Sequence, residues 1–139
     1  MVDTRFSMSV QIMMSLAYHG DELMNSDQLA KTLKTNATFV RKLVSRLVEA
    51  GIVQSFRGKA GGIKLAKSPQ DISLKDIYLA ATCEKTLINC HKKPINKACP
   101  ISGCIEDVIG EIVVGIEETT KKYLLNKKLD QLMKKVQHK

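Results

Sequence analysis

No hydrophobic run in the 139-residue sequence approaches the roughly 18 residues that a spanning helix needs. The opening stretch, MVDTRFSMSV, has neither the basic n-region nor the apolar h-region of a secretory signal. Both absences point to a cytoplasmic protein with no membrane contact. Its four cysteines are then expected to be reduced, reactive or metal-binding rather than a disulfide framework. No C-x-x-C pair occurs, which disfavours a structural zinc site. The three histidines are scattered, no glycine loop has the form of a phosphate cradle, and no carboxylates pair on one face. No catalytic constellation remains, so the chain reads as a binder and not an enzyme. Internal repeats and low-complexity tracts are missing too. The length suits one domain with an appended element.

What is present is positive charge, and it is concentrated. The formal net charge is +8. Residues 1–30 carry −3 and residues 68–139 carry +3. Residues 31–67 hold nine Lys and Arg against Glu49 alone, a local excess equal to that of the whole protein. A field focused in one short window points to a polyanionic partner, most simply a phosphate backbone.

Hydrophobic spacing gives the elements. Residues 5–19 read as a helix with Phe6, Val10, Met13, Met14 and Ala17 at helical spacing. Asn25 or Ser26 caps a second helix burying Leu29, Ala30 and Leu33, and Lys34-Thr35-Asn36-Ala37 makes a turn. A third helix, capped by Asn36, runs to about Ala50 and buries Val40, Leu43, Val44, Leu47 and Val48, with Gly51 as its stop. Arg41, Lys42, Ser45 and Arg46 are left on the other face. Two helices joined by a short turn, the second of them basic, form a helix-turn-helix pattern. Residues 52–56 and 63–66 then flank Arg-Gly-Lys-Ala-Gly-Gly, a hairpin with a basic, glycine-rich tip. Directly after a helix-turn-helix, such a hairpin is a wing. Ser73 caps a short helix, a polar cysteine-containing loop follows, and residues 101–125 form one long apolar-periodic helix. A head of about eighty residues cannot cover that whole stripe, so a second copy of the chain is the expected partner. The basic tail helix is expected to pack back onto it. The fold class is mainly α with a small β-hairpin. It divides into a winged helix-turn-helix domain over 1–82, a cysteine loop over 83–100, and a dimerisation helix with a C-terminal helix over 101–139.

The stretches LVEAGIVQSFRGKAGGIKLAKSP and DISLKDI, in this order and spacing, resemble the Rrf-two family of bacterial winged-helix transcription regulators. The resemblance implies a homodimer that places two recognition helices in successive major grooves, on half-sites roughly 34 Å apart. It implies base contacts from Asn36, Thr38, Arg41 and Arg57, since Asn can read adenine and Arg can read guanine, with Phe39 beside them among the DNA-binding residues. Lys42, Arg46, Lys59 and Lys64 would serve phosphates of a double-stranded operator. A repressor is expected; the alternatives are a non-sensory architectural DNA binder and, less favoured, a thiol redox protein.

The loop CHKKPINKACPISGC sits where several members of that family place sensing cysteines. Cys90, Cys99 and Cys104 are therefore candidates for redox chemistry or for holding an iron–sulfur cluster, which needs converging thiolates. Their unequal spacing departs from cluster-binding relatives, which keep the two gaps about equal. HKKPINKACPISG looks closer to a thiol-sensing branch. An inert loop remains the third reading. Cys99, just before a helix N-terminus and near lysines, is the expected reactive thiol, with Cys90 or Cys104 resolving it. His91 is an exposed loop residue or a thiolate partner, and Cys83 is expected to be a small packed residue on the preceding helix.

Overall fold

A computed structural model describes residues 3–86, 88–91 and 94–136. The first helix, α1 (Arg5–His19), buries Ser9, Ile12, Met13 and Leu16. This differs from the expected stripe, of which Met13 alone is fully enclosed; Phe6, Val10, Met14 and Ala17 are half-buried at its flanks. The reason is its position: α1 packs against later helices and the hairpin on several sides, so apolar residues run almost all the way round it.

Helix α2 (Ser26–Leu33) opens with a capping box. Asn25 Oδ1 accepts from the Gln28 amide at 2.8 Å, and Gln28 Oε1 accepts from the Asn25 amide at 2.9 Å. Such a cap is worth about 1 kcal/mol. Helix α3 (Ala37–Glu49) buries Val40, Leu43, Val44 and Leu47 against the core, leaving Val48 half-buried. Its C-terminus closes as a Schellman motif: the Gly51 amide donates to Val48 O at 2.9 Å and the Ile52 amide to Leu47 O at 3.2 Å. Gly51 sits at φ +77°, a conformation that costs other residues a steric penalty.

Strands β1 (Val53–Phe56) and β2 (Gly62–Leu65) pair antiparallel in the register Val53 to Leu65, Gln54 to Lys64, Ser55 to Ile63 and Phe56 to Gly62. A two-stranded hairpin is marginal alone. Here Met24, in the α1–α2 connection, adds a third edge: its amide donates to Ile63 O at 3.0 Å and its carbonyl accepts from the Ile63 amide at 2.8 Å. The wing is thereby tied to the helix-turn-helix.

A 3₁₀ turn (Pro69–Asp71) leads to α4 (Leu74–Thr82), which opens with a second capping box between Ser73 and Asp76. The long helix, α5 (Pro100–Leu125), starts with Pro at N1 and buries only Glu117 and Leu124. No helix among the described residues is long and apolar enough to cross a membrane. The last helix, α6 (Leu129–Val136), does not lie along α5 as its sequence suggested. It packs on α1 and the 3₁₀ turn. The Leu74 amide donates to Lys127 O and the Leu129 amide to Ile72 O, both at 2.9 Å, and Leu129 is fully buried. The tail thus completes the head, which is built from α1–α4, the hairpin and α6 around one core.

Candidate nucleic-acid interface

Burial of Val40, Leu43, Val44 and Leu47 fixes which face of α3 meets solvent. Thr38, Arg41, Lys42 and Ser45 are exposed, at spacings of three and four that line one side of the helix. Asn36 is exposed as well, but its Oδ1 is occupied, accepting from the Phe39 amide at 2.8 Å as the helix N-cap. A bidentate contact to adenine uses both amide atoms, so the expected base reading by Asn36 competes with its capping role. Phe39 is half-buried against the core and anchors the first turn.

Arg41 is held across the helix-turn-helix by a residue that sequence reasoning missed. Its Nη2 lies 3.8 Å from Asp27 Oδ1 in the first turn of α2, with both side chains mostly exposed. Such a surface pair contributes at most about 1 kcal/mol, but it limits the directions the guanidinium can take. Asp27 stands two residues past the Asn25 cap, and the turn between α2 and α3 brings it opposite Arg41. Its signal in the sequence was no more than an acid in a helix's first turn.

Arg46 departs from expectation. Its Nη1 donates to Ala81 O at 3.1 Å, near the end of α4, and the side chain is half-buried. It joins α3 to α4 and is not free on the Arg41 face.

At the wing, Arg57 and Lys59 are exposed at the hairpin tip. The tip is closed by the Gly61 amide donating to Gly58 O at 3.0 Å. A Cβ on Gly61 would lie 2.2 Å from Phe56 O and 2.8 Å from the Arg57 carbonyl carbon, so only glycine fits this turn. Lys64 is on β2, half-buried, with Nζ 5.5 Å from the centroid of the Phe56 ring. That cation–π contact draws it toward its own strand pair.

The cysteine loop lies between α4 and α5. Cys99 is the N-cap residue of that helix, with no side-chain cap bond. Cys104 follows in the second turn, exposed, its thiol donating to Ile101 O at 3.5 Å. Cys90 donates to His91 O at 3.4 Å, and its Sγ is 4.0 Å from His91 Nδ1. All four cysteines are free thiols. Among the described residues, no three His, Cys, Asp or Glu side chains are grouped so as to hold a metal ion. Cys90, Cys99 and Cys104 therefore do not converge as a cluster requires in this arrangement. Cys83 corrects an expectation too: it caps α4 from the left-handed region at φ 53° and is exposed, not packed.

The comparisons with known proteins agree with this geometry. The family model described as Rrf2, iron-dependent transcriptional regulator, matches residues 2–135. YwnA of Bacillus subtilis (strain 168), provisionally named as an HTH-type transcriptional regulator, is 29% identical over 133 residues, covering 96% of this chain and 97% of its own. The HTH-type transcriptional regulator NsrR of the same organism is 27% identical over 124 residues, 88% of this chain and 84% of its own. A crystal structure of a provisionally assigned transcriptional regulator from Lactobacillus plantarum has the same fold. Its TM-score is 0.80 at 22% identity, covering 97% of this chain and 91% of that one. A basic recognition helix, a basic wing and a family match over nearly the full length lead to one conclusion: this chain belongs to the Rrf2 family of winged helix-turn-helix, DNA-binding transcription regulators.

Proposed function

We propose that the protein acts as a homodimer on a palindromic operator, reading bases with Thr38, Arg41 and Arg57 and holding phosphates with Lys42 and Lys59. Repression follows from occlusion of the DNA it covers. The observation that carries this reading is the exposed cationic face of α3 beside an exposed cationic hairpin tip, on elements that the core and the Met24–Ile63 bridge hold in place. A rigid scaffold with charged groups facing water is what phosphate and groove contacts require.

The dimer is supported by α5. Ile101, Val108, Ile112, Ile116 and Tyr123 recur at intervals of four and seven residues and are 38–67% exposed. Glu117 and Leu124, the two residues that face the head, lie on another side of the helix. A stripe of this kind is matched by a second copy of itself.

The cysteine loop is the proposed input. It joins α4 to α5, so a chemical change at Cys99 acts where the dimer helix begins. A cluster and a thiol switch are both consistent with this placement.

The test is binding of the full chain to duplexes it selects from random-sequence DNA, compared with the Arg41→Ala/Arg57→Ala double variant. The variant is expected to lose selective binding while sedimenting as the wild type. Unchanged operator affinity would sink the assignment of α3 and the wing. Wild-type binding that is steep in salt but indifferent to sequence supports an architectural binder instead. Recording the spectrum of anaerobically purified protein, and repeating the assay after oxidant, separates a coloured cluster from colourless thiols.

A further inference from the structure

Glu117 is out of place by the ordinary rules of burial. On α5 Ile101, Ile112 and Ile116 face water while this acid is 8% exposed. Acids are rarely buried unless paired. Its partner is Tyr78 of α4, itself 4% exposed, whose hydroxyl donates to the carboxylate at 3.0 Å from Oε1 and 3.1 Å from Oε2. The Tyr78 ring stands edge-on to Phe6 of α1, with centroids 5.6 Å apart and planes at 78°. Burial and the Glu117 carboxylate, with a smaller contribution from Asp3, push the phenol up to about 12, so it remains a donor at any working pH.

The same helix is tied to the recognition helix. Arg46 of α3 donates to Ala81 O, less than one turn after Tyr78 in α4. Thr82 Oγ1 in turn donates to Tyr78 O at 2.8 Å, stiffening that turn. A continuous polar path therefore runs from α5 through Glu117, Tyr78, the end of α4 and Arg46 into α3. Nothing else that α5 buries is polar, and Leu124 supplies the apolar part of its attachment.

We propose that Tyr78 and Glu117, with Arg46, are positioning residues that fix the angle between the dimer helix and the recognition helix, and so set the half-site spacing the dimer accepts. This rests on the dimeric, operator-reading function argued above. A hydrogen bond is directional, whereas an apolar contact tolerates rotation. Without the bond, α5 would turn about Leu124, and small rotations there displace both recognition helices.

The experiment uses the full chain and a duplex selected by the wild type from random-sequence DNA. Versions with the central spacer one base pair longer or shorter and a single half-site complete the set. The wild type is expected to prefer the selected spacing. Tyr78→Phe and Glu117→Ala are expected to bind the half-site within about twofold of wild type. Their preference among spacers should flatten by about tenfold. Glu117→Gln retains an acceptor for the phenol and should restore the preference. Arg46→Met should behave as Tyr78→Phe; a fall in half-site affinity would instead make Arg46 a phosphate contact and overturn its part in the path. Full spacer preference in Tyr78→Phe overturns the proposal while leaving the dimeric reading intact. A wild-type protein with no spacer preference overturns both.

Discussion

Replacing Ile112 by Asp is expected to separate the protomers while leaving each head folded. Ile112 sits mid-stripe on α5 and is 51% exposed. Fully burying an isoleucine is worth about 1.5–3 kcal/mol, so covering the exposed half contributes about 0.8–1.5 kcal/mol. A two-fold interface uses the same residue twice, which raises this to about 1.5–3 kcal/mol per dimer. The Asp side chain forfeits that sum and adds two carboxylates that must be desolvated or leave the stripe wet. At 1.4 kcal/mol per tenfold, the dissociation constant of the dimer rises by about tenfold to 100-fold, before the charge is counted. Sedimentation velocity over a concentration series measures this directly. The thermal melt serves as the control: half of the side chain is already in water, and the residues that α5 buries against the head are Glu117 and Leu124. An unchanged dimer would show that the copies do not meet on this face, and the proposed arrangement of recognition helices would fall with it.

Two smaller perturbations address the wing and the buried phenol. Gly61→Ala places a methyl group 2.2 Å from Phe56 O, a backbone atom that cannot step aside, so the tip must reshape. Operator affinity should fall about as far as in Arg57→Ala, with the cooperativity of unfolding retained; wild-type affinity would mean that the tip does not touch DNA. In an alkaline absorbance titration at the tyrosinate band, one of the three phenols should ionise near pH 12, and Tyr78→Phe should remove that step. The sign follows from the raised value. Proton binding is tighter in the folded state, so Tyr78 contributes its full stabilisation below about pH 10 and loses it as pH rises through about 12. A late step that survives in Tyr78→Phe assigns it to another group.

Local signals in the sequence were read correctly where the physics is local. Asn25, Asn36 and Ser73 cap the helices whose starts they marked, because a side-chain acceptor three residues from a free amide is a short-range arrangement. Gly51 ends α3 for the same kind of reason, while α5 begins at Pro100, one residue before the expected start. What the sequence hid depends on pairing across long separations. The face of α1 is hard to phase because apolar residues crowd both flanks of its narrow polar side, Ser7, Gln11 and Ser15, and a polar residue, Ser9, is itself buried opposite them. Met24 joining Ile63, Arg46 reaching Ala81 and Tyr78 reaching Glu117 have no local signature. Charge and closeness to Arg41 point Arg46 to phosphate, and its bond to Ala81 O of α4 cannot be seen from helical spacing alone. The tail helix misled in another way. Its amphipathic face is plain, but the sequence does not say which of two apolar surfaces it covers, and it chose α1.

The placement of the cysteines becomes more specific once α5 is understood as a lever. Cys99 is the residue at its N-cap position, and the first residue buried against the head is Glu117, eighteen positions later. At 1.5 Å per residue that is about 27 Å of helix before the first buried attachment to the protomer's own head. In the proposed dimer the partner covers the stripe from Ile101 to Tyr123, so a turn at the start of α5 moves the paired helices together, and the first place they meet the protomer's own head is the bond between Tyr78 and Glu117. A signal at the loop therefore need not deform α5 or reach the DNA-reading residues through the core. It has only to bias the orientation of α5 at that bond, from which Arg46 leads to α3. For the proposed sensing role, the position of Cys99 at the helix start, far from where α5 meets its own head, therefore matters more than even spacing among the cysteines.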